Sequence, residues 1–228
     1  MNVFAIIVAG GTGQRFGSDI PKQYLDVQGA PLFVYSLRKF ARFAPVSKIV
    51  MVLAPAWRQF AADSIEKEGL TRKVVFADAG ATRQHSVLSG LLALKDFAED
   101  GDAVFVHDAV RPLFPESNLT DALAALETHD AALPCISVKD ATYRSSDGSE
   151  LTAILPRSEL YSGQSPECLR YGPFLRAHGQ FTDAEMATIR GCSELAYRAG
   201  ISVKLIPGIE QNFKITTKED LQAFALLV

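Results

Sequence analysis

The sequence predicts an α/β fold with a mostly parallel sheet, flanking helices and a projecting β-hairpin arm. Short β-branched runs alternate with longer amphipathic stretches through most of the chain, which is typical of repeated βαβ units. One later stretch holds two strand-like runs with no helix between them, which indicates the hairpin. No repeat, low-complexity tract or linker interrupts the 228 residues, so we expect a single domain over residues 1–228.

The first half of the chain shows the alternation most clearly. Aliphatic and β-branched runs predict strands at residues 3–9, 48–54, 73–78 and 103–107. Amphipathic spacing predicts helices at residues 31–43, 56–69, 83–97 and 118–126. Pro31 is expected at the first helical position of the first helix, where a missing N–H costs nothing.

The pattern changes after residue 130. Two strand-like runs within residues 131–157 surround the turn sequence SSDGS, which predicts a hairpin with residues 139–158 as its arm. Beyond it we expect a strand at 160–169, a helix in two pieces over 174–200, a strand at 201–208 and a final helix. Thr217 and Asp220 have capping-box spacing at the start of that helix.

Composition and charge exclude several classes of protein. A formal net charge of −3 and a pI near 5.8 argue against nucleic-acid or membrane-surface binding, which relies on an excess of Lys and Arg. No apolar run approaches the roughly 18 residues that a membrane helix requires, and the apolar run at 3–9 is too short for a signal peptide. The three cysteines are far apart and form no C-x-x-C pair, so we expect reduced thiols and a cytoplasmic protein.

The first strand leads into AGGTGQRFG, whose glycines stand at positions 10, 11, 13 and 17. A dinucleotide fingerprint would need glycine at position 16, which is Phe16, and the P-loop spacing is absent. What remains is a turn whose backbone N–H groups can surround phosphate oxygens, with Arg15 and Lys22 adding positive charge. A plain tight turn with two solvated cations is the alternative.

A second motif, GATRQHSVLSGL, places Gly80 at the end of a strand and Arg83 and Ser86 in the first turn of the next helix. Open α/β sheets bind ligands at the carboxyl ends of their strands, and helix N-termini favour anionic or polar groups. The motif therefore indicates a ligand site, and an ordinary capped helix is the alternative.

A third motif, VFVHDAVRPLF, leads a buried strand into His107, Asp108 and Arg111. A carboxylate at the mouth of a buried strand needs a partner, and Mg²⁺ is a natural partner for oxygen ligands. An Asp108–Arg111 ion pair that shapes the turn is the alternative. Lys214 in QNFKITT is a candidate site residue only in combination with these other motifs, because a single lysine is usually a solvated surface group. The four histidines have no zinc-site spacing.

The four segments AGGTGQRFGSDIPKQYL, GATRQHSV, VHDAVRP and NFKITTKEDL occur in the order found in one family of nucleotidyltransferases. The chain resembles the cytidylyltransferases of the 2-C-methyl-D-erythritol 4-phosphate type, a family that includes ribitol 5-phosphate cytidylyltransferases. The resemblance implies a Rossmann-like nucleotidyltransferase domain, Mg²⁺ as cofactor, and CTP and a polyol phosphate as substrates, with pyrophosphate released. It also implies a homodimer joined through the 139–158 arm.

The resemblance assigns a role to individual residues of this chain. Three basic residues would be catalytic: Arg15, Lys22 and Lys214. The nucleotide would lie against Ala9, Gly10, Gly11, Gly13, Gly80, Arg83, Ser86 and Ala109. The acceptor would lie against Arg111, Asp140, Arg157 and Ser165, with Arg157 reaching across the dimer, and Asp108 would hold Mg²⁺.

Several acceptor-side positions depart from the family pattern. Ala141 stands where Thr is usual, Glu167 where Gln is usual, Arg190-Gly191 where Thr-Asp is usual, and Gln211 where Asp is usual. We expect methylerythritol phosphate as acceptor, with ribitol 5-phosphate as the alternative. A sugar-phosphate nucleotidyltransferase that uses UTP or GTP, and a non-catalytic nucleotide-binding relative, are the further alternatives.

Overall fold

The computed structural model describes residues 1–11, 16 and 20–228. Its strands are Val3–Val8 (β1), Asp26–Val27 (β2), Ala30–Pro31 (β3), Val46–Leu53 (β4), Val74–Asp78 (β5), Ala103–Asp108 (β6), Ala131–Ser137 (β7), Thr142–Arg144 (β8), Ala153–Leu155 (β9), Tyr161–Gly163 (β10), Glu167–Arg170 (β11) and Val203–Pro207 (β12). Its α-helices are Leu32–Arg42 (α1), Arg58–Lys67 (α2), Arg83–Leu92 (α3), Glu116–Ala125 (α4), Tyr171–His178 (α5), Asp183–Thr188 (α6), Cys192–Arg198 (α7) and Lys218–Ala225 (α8).

One large sheet forms the centre of the fold. Its strands follow the order β10-β7-β11-β6-β1-β4-β5, and β12 pairs with β7. The pairs β1–β4, β1–β6, β4–β5 and β7–β12 are parallel, whereas β10 and β11 run antiparallel to their neighbours. The predicted α/β class with a mostly parallel sheet and flanking helices is therefore confirmed.

The central strands are continuous apolar runs because both faces of the sheet are covered. Along β1, Ala5 and Ile7 belong to the core on one face, together with Phe40 of α1. Ile6 belongs to the core on the opposite face, together with Leu91 of α3. Since successive side chains of a strand point to opposite faces, a single run supplies both cores.

The hairpin differs from its prediction in one respect. The first of the two predicted runs is β7, which lies in the central sheet and is not part of the arm. The hairpin consists of β8 and β9, which pair only with each other among the described residues. Its exposed apolar side chains include Tyr143 and Ile154, the latter 72% exposed. A two-stranded arm within 139–158 is therefore present.

Several element boundaries also differ from prediction. Pro31 precedes α1 as its N-cap residue, in a short strand that pairs with Asp26–Val27. The third predicted helix ends at Leu92, well before residue 97. The predicted strand at 160–169 is two strands, β10 and β11, and the region 174–200 contains parts of three helices. The capping box of Thr217 and Asp220 is confirmed at α8.

The parallel strands bring three of the predicted motifs to one edge of the sheet. Val8 at the end of β1 pairs with Asp108 at the end of β6 and with Val52 in β4. Asp78 at the end of β5 pairs with Leu53 at the end of β4. The glycine turn, the Gly80 turn and Asp108 therefore share the carboxyl edge, where open α/β sheets place their ligands. No helix in the described part of the chain is long and apolar enough to cross a bilayer.

Candidate active site

Two cavities open side by side at the carboxyl edge of the sheet. The first has a volume of about 500 Å³, and its walls include Ala9, Gly10, Gly11, Lys22, Gly80 and Ser86. The second has a volume of about 390 Å³, and its walls include Arg111, Ser165, Glu167, Arg190 and Ser193. Both are bordered by Arg83, Asp108 and Lys214, so these three side chains mark the junction where two ligands could meet.

The glycine turn forms one wall of the first cavity. A Cβ atom on Gly10 would lie 2.3 Å from the Cβ of Ala79, so only glycine allows the turn to approach the end of β5 this closely. Gly80 has the same requirement, since a Cβ there would lie 2.4 Å from the Cβ of His85. Gly13 and Arg15 lie outside the described residues, and Lys22 lines the first cavity.

Gln23 and Tyr24 hold this turn in place from behind. The buried Gln23 amide donates from Nε2 to the carbonyl oxygens of Ala9 and Gly11, each at 2.7 Å. The Tyr24 hydroxyl also donates to Ala9 O, at 2.9 Å, and burial raises the pKa of this phenol to about 12. Sequence reasoning missed both roles, although both residues stand in the P-K-Q-Y-L segment that carried the resemblance.

The start of α3 forms the facing wall. The Gly80 N–H donates to the Ser86 hydroxyl at 3.0 Å, and that hydroxyl donates to the Thr82 carbonyl at 3.0 Å. The Thr82 side chain caps the helix by accepting from the His85 N–H. Ser86 therefore shapes the Gly80 turn, and Gly80, Arg83 and Ser86 lie together as the second motif predicted.

The Arg83 guanidinium links three groups at the junction, two of them buried. Its Nε donates to Asp108 Oδ1 at 3.2 Å, its Nη2 to Glu167 Oε1 at 3.3 Å and its Nη1 to Cys192 Sγ at 3.3 Å. Burial alone would lower the pKa of Arg83, but the neighbouring acidic groups raise it well above its ordinary value. The guanidinium is thus fixed by both sides of the junction.

Asp108 is the carboxylate at the centre of the junction. Lys214 Nζ donates to its Oδ2 at 2.8 Å, while Arg83 contacts its Oδ1. Burial by itself would raise the pKa of Asp108, yet Arg83, Lys214 and Arg111 outweigh that effect and hold it far below the ordinary value. The carboxylate is therefore ionised near pH 7.

Arg111 does not form the ion pair with Asp108 that is the alternative to a metal site. Among the described residues its Nη1 donates instead to the Asn212 carbonyl at 2.8 Å, and its backbone N–H donates to the Asp108 carbonyl at 3.0 Å. Burial lowers the pKa of Arg111. The carboxylate of Asp108 is paired with cations from α3 and from the segment before α8, both distant in sequence.

His107 and Ser165 support Asp108 from below. The fully buried imidazole lies 3.0 Å from Ser36 Oγ through Nε2 and 3.0 Å from Ser165 Oγ through Nδ1. Ser165 Oγ also accepts the Asp108 N–H at 3.2 Å, so this serine links the imidazole to the backbone of Asp108. Burial lowers the pKa of His107 to about 3, so the ring is neutral near pH 7.

Glu167 is a buried carboxylate of the second cavity whose role sequence reasoning did not identify. Its two oxygens accept the N–H groups of Cys192 (3.1 Å) and Ser193 (2.5 Å), and Oε1 also contacts Arg83. The side chain is only 5% exposed. Glu167 therefore links β11 to α3 and to the start of α7. In the sequence, the only signal for this role is that Glu167 stands where the family usually has Gln.

Three predicted site residues lie apart from the two cavities. Asp140 and Arg157 are exposed on the arm, and Arg157 Nη1 donates to the Lys139 carbonyl at 3.0 Å. Neither side chain lines either of the two cavities described above. Ala109 is buried beneath the site, with its N–H bonded to the Val8 carbonyl at 3.1 Å. Ligand binding by these residues stays a prediction.

The residues at the junction fit Mg²⁺ in one particular way. The described residues contain no group of three or more His, Cys, Asp or Glu side chains that could hold a metal by themselves. Asp108 retains lone pairs beyond those used by Arg83 and Lys214, since an ionised carboxylate can accept about four hydrogen bonds. Mg²⁺ is commonly held by one or two carboxylates together with substrate phosphates and water, and the junction offers one such carboxylate.

Comparison with known proteins relates the whole chain to one enzyme family. A family model described as IspD, 2-C-methyl-D-erythritol 4-phosphate cytidylyltransferase, matches residues 3–228. A 2-C-methyl-D-erythritol 4-phosphate cytidylyltransferase of Geobacter metallireducens is 36% identical over 222 residues, which cover 97% of this chain and 95% of that protein. A bifunctional IspD/IspF enzyme of Granulibacter bethesdensis is 38% identical over 97% of this chain and 55% of its own length. This chain spans about half the length of the bifunctional relatives it matches.

Solved structures show the same fold. The 2-C-methyl-D-erythritol 4-phosphate cytidylyltransferase of Francisella tularensis superposes with a TM-score of 0.84 at 25% identity, covering 100% of both chains. The corresponding protein of Thermus thermophilus gives a TM-score of 0.76 at 27% identity, covering 100% of this chain and 98% of the other. These alignments therefore cover the full length of this chain.

Proposed function

Because the chain belongs to the 2-C-methyl-D-erythritol 4-phosphate cytidylyltransferase family, we propose that it transfers CMP from CTP to a polyol phosphate and releases pyrophosphate. The observation that carries the proposal is the pair of cavities that share Arg83, Asp108 and Lys214. A transfer between two substrates needs two adjoining sites with charged groups between them. A protein that only bound a nucleotide would need the first cavity alone.

The groups at the junction suit nucleotidyl transfer. An oxygen of the acceptor phosphate attacks the α-phosphorus of CTP, and the bond from that phosphorus to the pyrophosphate oxygen breaks. Such a reaction depends on in-line positioning and on neutralising the charge of the phosphate oxygens. Lys214 and Lys22 border the first cavity and can supply positive charge there. The acceptor phosphate is largely a dianion near pH 7, so a general base is not required.

Mg²⁺ is the cofactor we propose, with Asp108 as its protein ligand. When bound, the ion would neutralise charge on the triphosphate. Lys214 Nζ lies 2.8 Å from one Asp108 oxygen, so the lysine would add positive charge beside the carboxylate that would hold the ion. Arg83 fixes the other carboxylate oxygen and prevents the side chain from rotating.

We propose 2-C-methyl-D-erythritol 4-phosphate as the acceptor, in support of isoprenoid precursor synthesis. The family and the named relatives support this choice. The exposed arm supports a homodimer, since it would let Asp140 and Arg157 reach the second cavity of a partner subunit. Cysteines that are all buried and free support a cytoplasmic location.

A turnover assay tests the proposal. The protein is incubated with CTP, Mg²⁺ and either 2-C-methyl-D-erythritol 4-phosphate or ribitol 5-phosphate, and pyrophosphate release is followed. We expect turnover with the first acceptor and a loss of about 100-fold or more in kcat for Lys214→Ala, which removes a charged group from the transition state. Lys204→Ala, on the exposed part of β12, is the matched control and should leave kcat unchanged.

Two further results would contradict parts of the proposal. Turnover with ribitol 5-phosphate alone would show that ribitol 5-phosphate is the acceptor. Equal inactivity with both compounds would contradict a polyol phosphate as the acceptor. If light scattering shows a monomer at the assay concentration, the proposed role of the arm in dimerisation is contradicted. Neither result depends on the other, because the cavities of one chain already contain Lys22, Asp108 and Lys214.

A further inference from the structure

The wall of the second cavity contains an arginine whose side chain forms no polar contact with the described part of the chain. Arg190 lines this cavity but not the first, and its guanidinium makes no hydrogen bond or ion pair with any described residue. By contrast, Arg83 is paired with Asp108 and Glu167, Lys214 is paired with Asp108, and Arg111 donates to the Asn212 carbonyl. Arg190 is thus the cation of this cavity whose guanidinium donors are all uncommitted among the described residues, whereas each of the other three already uses at least one donor.

The backbone that carries Arg190 is fixed on both sides. The Arg190 N–H donates to Glu194 Oε2 at 2.8 Å, and the Gly191 carbonyl accepts from Gln84 Nε2 at 3.0 Å. Glu167 holds the next two N–H groups, those of Cys192 and Ser193. The backbone around Arg190 is therefore held at several points, and the exposed side chain extends from it with its guanidinium available to a ligand.

The two glutamates of the same wall do not compete for the Arg190 guanidinium. Glu167 is occupied by two N–H groups and Arg83. Glu194 accepts the Arg190 N–H and forms an ion pair with Arg198 at 2.6 Å. The start of α7 also has no free N–H groups at residues 192 and 193 for a ligand, because Glu167 already accepts them. Recognition at this wall therefore depends on side chains.

We propose that Arg190 is a specificity-determining residue that binds the hydroxyl-bearing end of the polyol phosphate acceptor. This assignment rests on the proposed function, in which the acceptor occupies the second cavity and its phosphate lies at the junction beside Lys214. The part of the acceptor that extends from the junction into the second cavity reaches Arg190. Guanidinium presents parallel N–H donors, which match two neighbouring hydroxyl oxygens.

Direct binding is the test, because it does not depend on turnover. The protein is saturated with CMP and Mg²⁺, a combination that lacks the pyrophosphate leaving group, and is titrated calorimetrically with 2-C-methyl-D-erythritol 4-phosphate. We expect Arg190→Gln to raise the Kd for this acceptor about 10-fold or more, as for the loss of a charge-assisted hydrogen bond. Arg190→Lys, which keeps the charge but loses the planar fork, should recover only part of the affinity.

Two controls separate this role from a general effect of charge or folding. Arg72→Gln removes an exposed arginine from the turn before β5, at the opposite edge of the sheet, and should leave the Kd unchanged. Inorganic phosphate is the second probe, and Arg190→Gln should leave its Kd unchanged too. Equal weakening of phosphate and polyol phosphate would overturn the assignment to the hydroxyl-bearing end, and an unchanged acceptor Kd would overturn any role for Arg190 in binding.

The outcome also distinguishes failure of this inference from failure of the proposed function. If the wild-type protein binds the acceptor without turnover, and Arg190→Gln weakens that binding, the transfer reaction is wrong but the role of Arg190 stands. If turnover is normal and the KM for the acceptor does not change in Arg190→Gln, the reaction stands and the role of Arg190 is wrong. If the wild-type protein neither binds nor converts the acceptor, both are wrong.

Discussion

Replacing Gly10 by alanine tests whether the first cavity depends on close contact between the glycine turn and the end of β5. The new Cβ would lie 2.3 Å from the Ala79 Cβ, and ordinary van der Waals contact begins at 3.4 Å, so the two segments must separate by about 1.1 Å. Overpacking of this kind costs roughly 1–3 kcal/mol in stability. A displacement of about 1 Å near reacting groups can reduce the rate about 100-fold.

Gly11→Ala is the matched control for this experiment. A Cβ on Gly11 meets no described atom within 4 Å, so its effect on the ligand-free protein should be small. Urea unfolding of the two variants without ligand, followed by kcat/KM with CTP, separates packing from ligand contact. If Gly10→Ala is as stable as Gly11→Ala and retains wild-type kcat/KM, the contact between Gly10 and Ala79 does not define the cavity.

Two other predictions concern the groups that support the site. Gln23→Ala removes two hydrogen bonds to the glycine turn and should lower the free energy of unfolding by about 1–3 kcal/mol. It should also raise the KM for CTP more than the KM for the acceptor. Gln59→Ala, at an exposed position, is the control, and equal rises in both KM values would contradict the role of Gln23. His107 stays neutral when folded, with a pKa of about 3, whereas the unfolded chain protonates it below about pH 6.5, so lowering the pH favours unfolding. Between pH 7 and pH 5 this histidine should lower the free energy of unfolding by about 2 kcal/mol. Urea unfolding at the two pH values should show a smaller decrease for His107→Asn than for the wild-type protein. The same pH dependence in wild type and variant would contradict it.

The sequence predicted the edge of the sheet at which the site lies, because the carboxyl ends of parallel strands must meet. Gly10 and Gly80 follow predicted strands and Asp108 stands at the end of one, so their proximity follows from topology alone. Lys214 could be assigned only by resemblance, since a single lysine before a helix carries no local signal. Its position 2.8 Å from Asp108 depends on how the segment before α8 crosses the sheet edge.

The pairing within the site could not be predicted from local spacing. Arg111 stands three residues after Asp108 and was the obvious partner, yet the carboxylate is paired with Arg83 and Lys214. Glu167 lies between a proline and a cysteine in a short strand, and nothing in that neighbourhood indicates that it holds α7 and Arg83. Such pairings are set by tertiary packing of distant elements, which a pattern of residue types does not encode.

The most direct test of the account is to identify the products formed from CTP, 2-C-methyl-D-erythritol 4-phosphate and Mg²⁺ by ³¹P NMR. If CMP is transferred at the junction around Asp108, the spectrum should show the two coupled signals of a pyrophosphate group esterified at both ends, as in a CDP-polyol. It should also show one free pyrophosphate for each CDP-polyol formed. UTP or GTP in place of CTP should give neither. Transfer from UTP or GTP with equal efficiency, or an unchanged CTP spectrum with folded wild-type protein, would contradict the account.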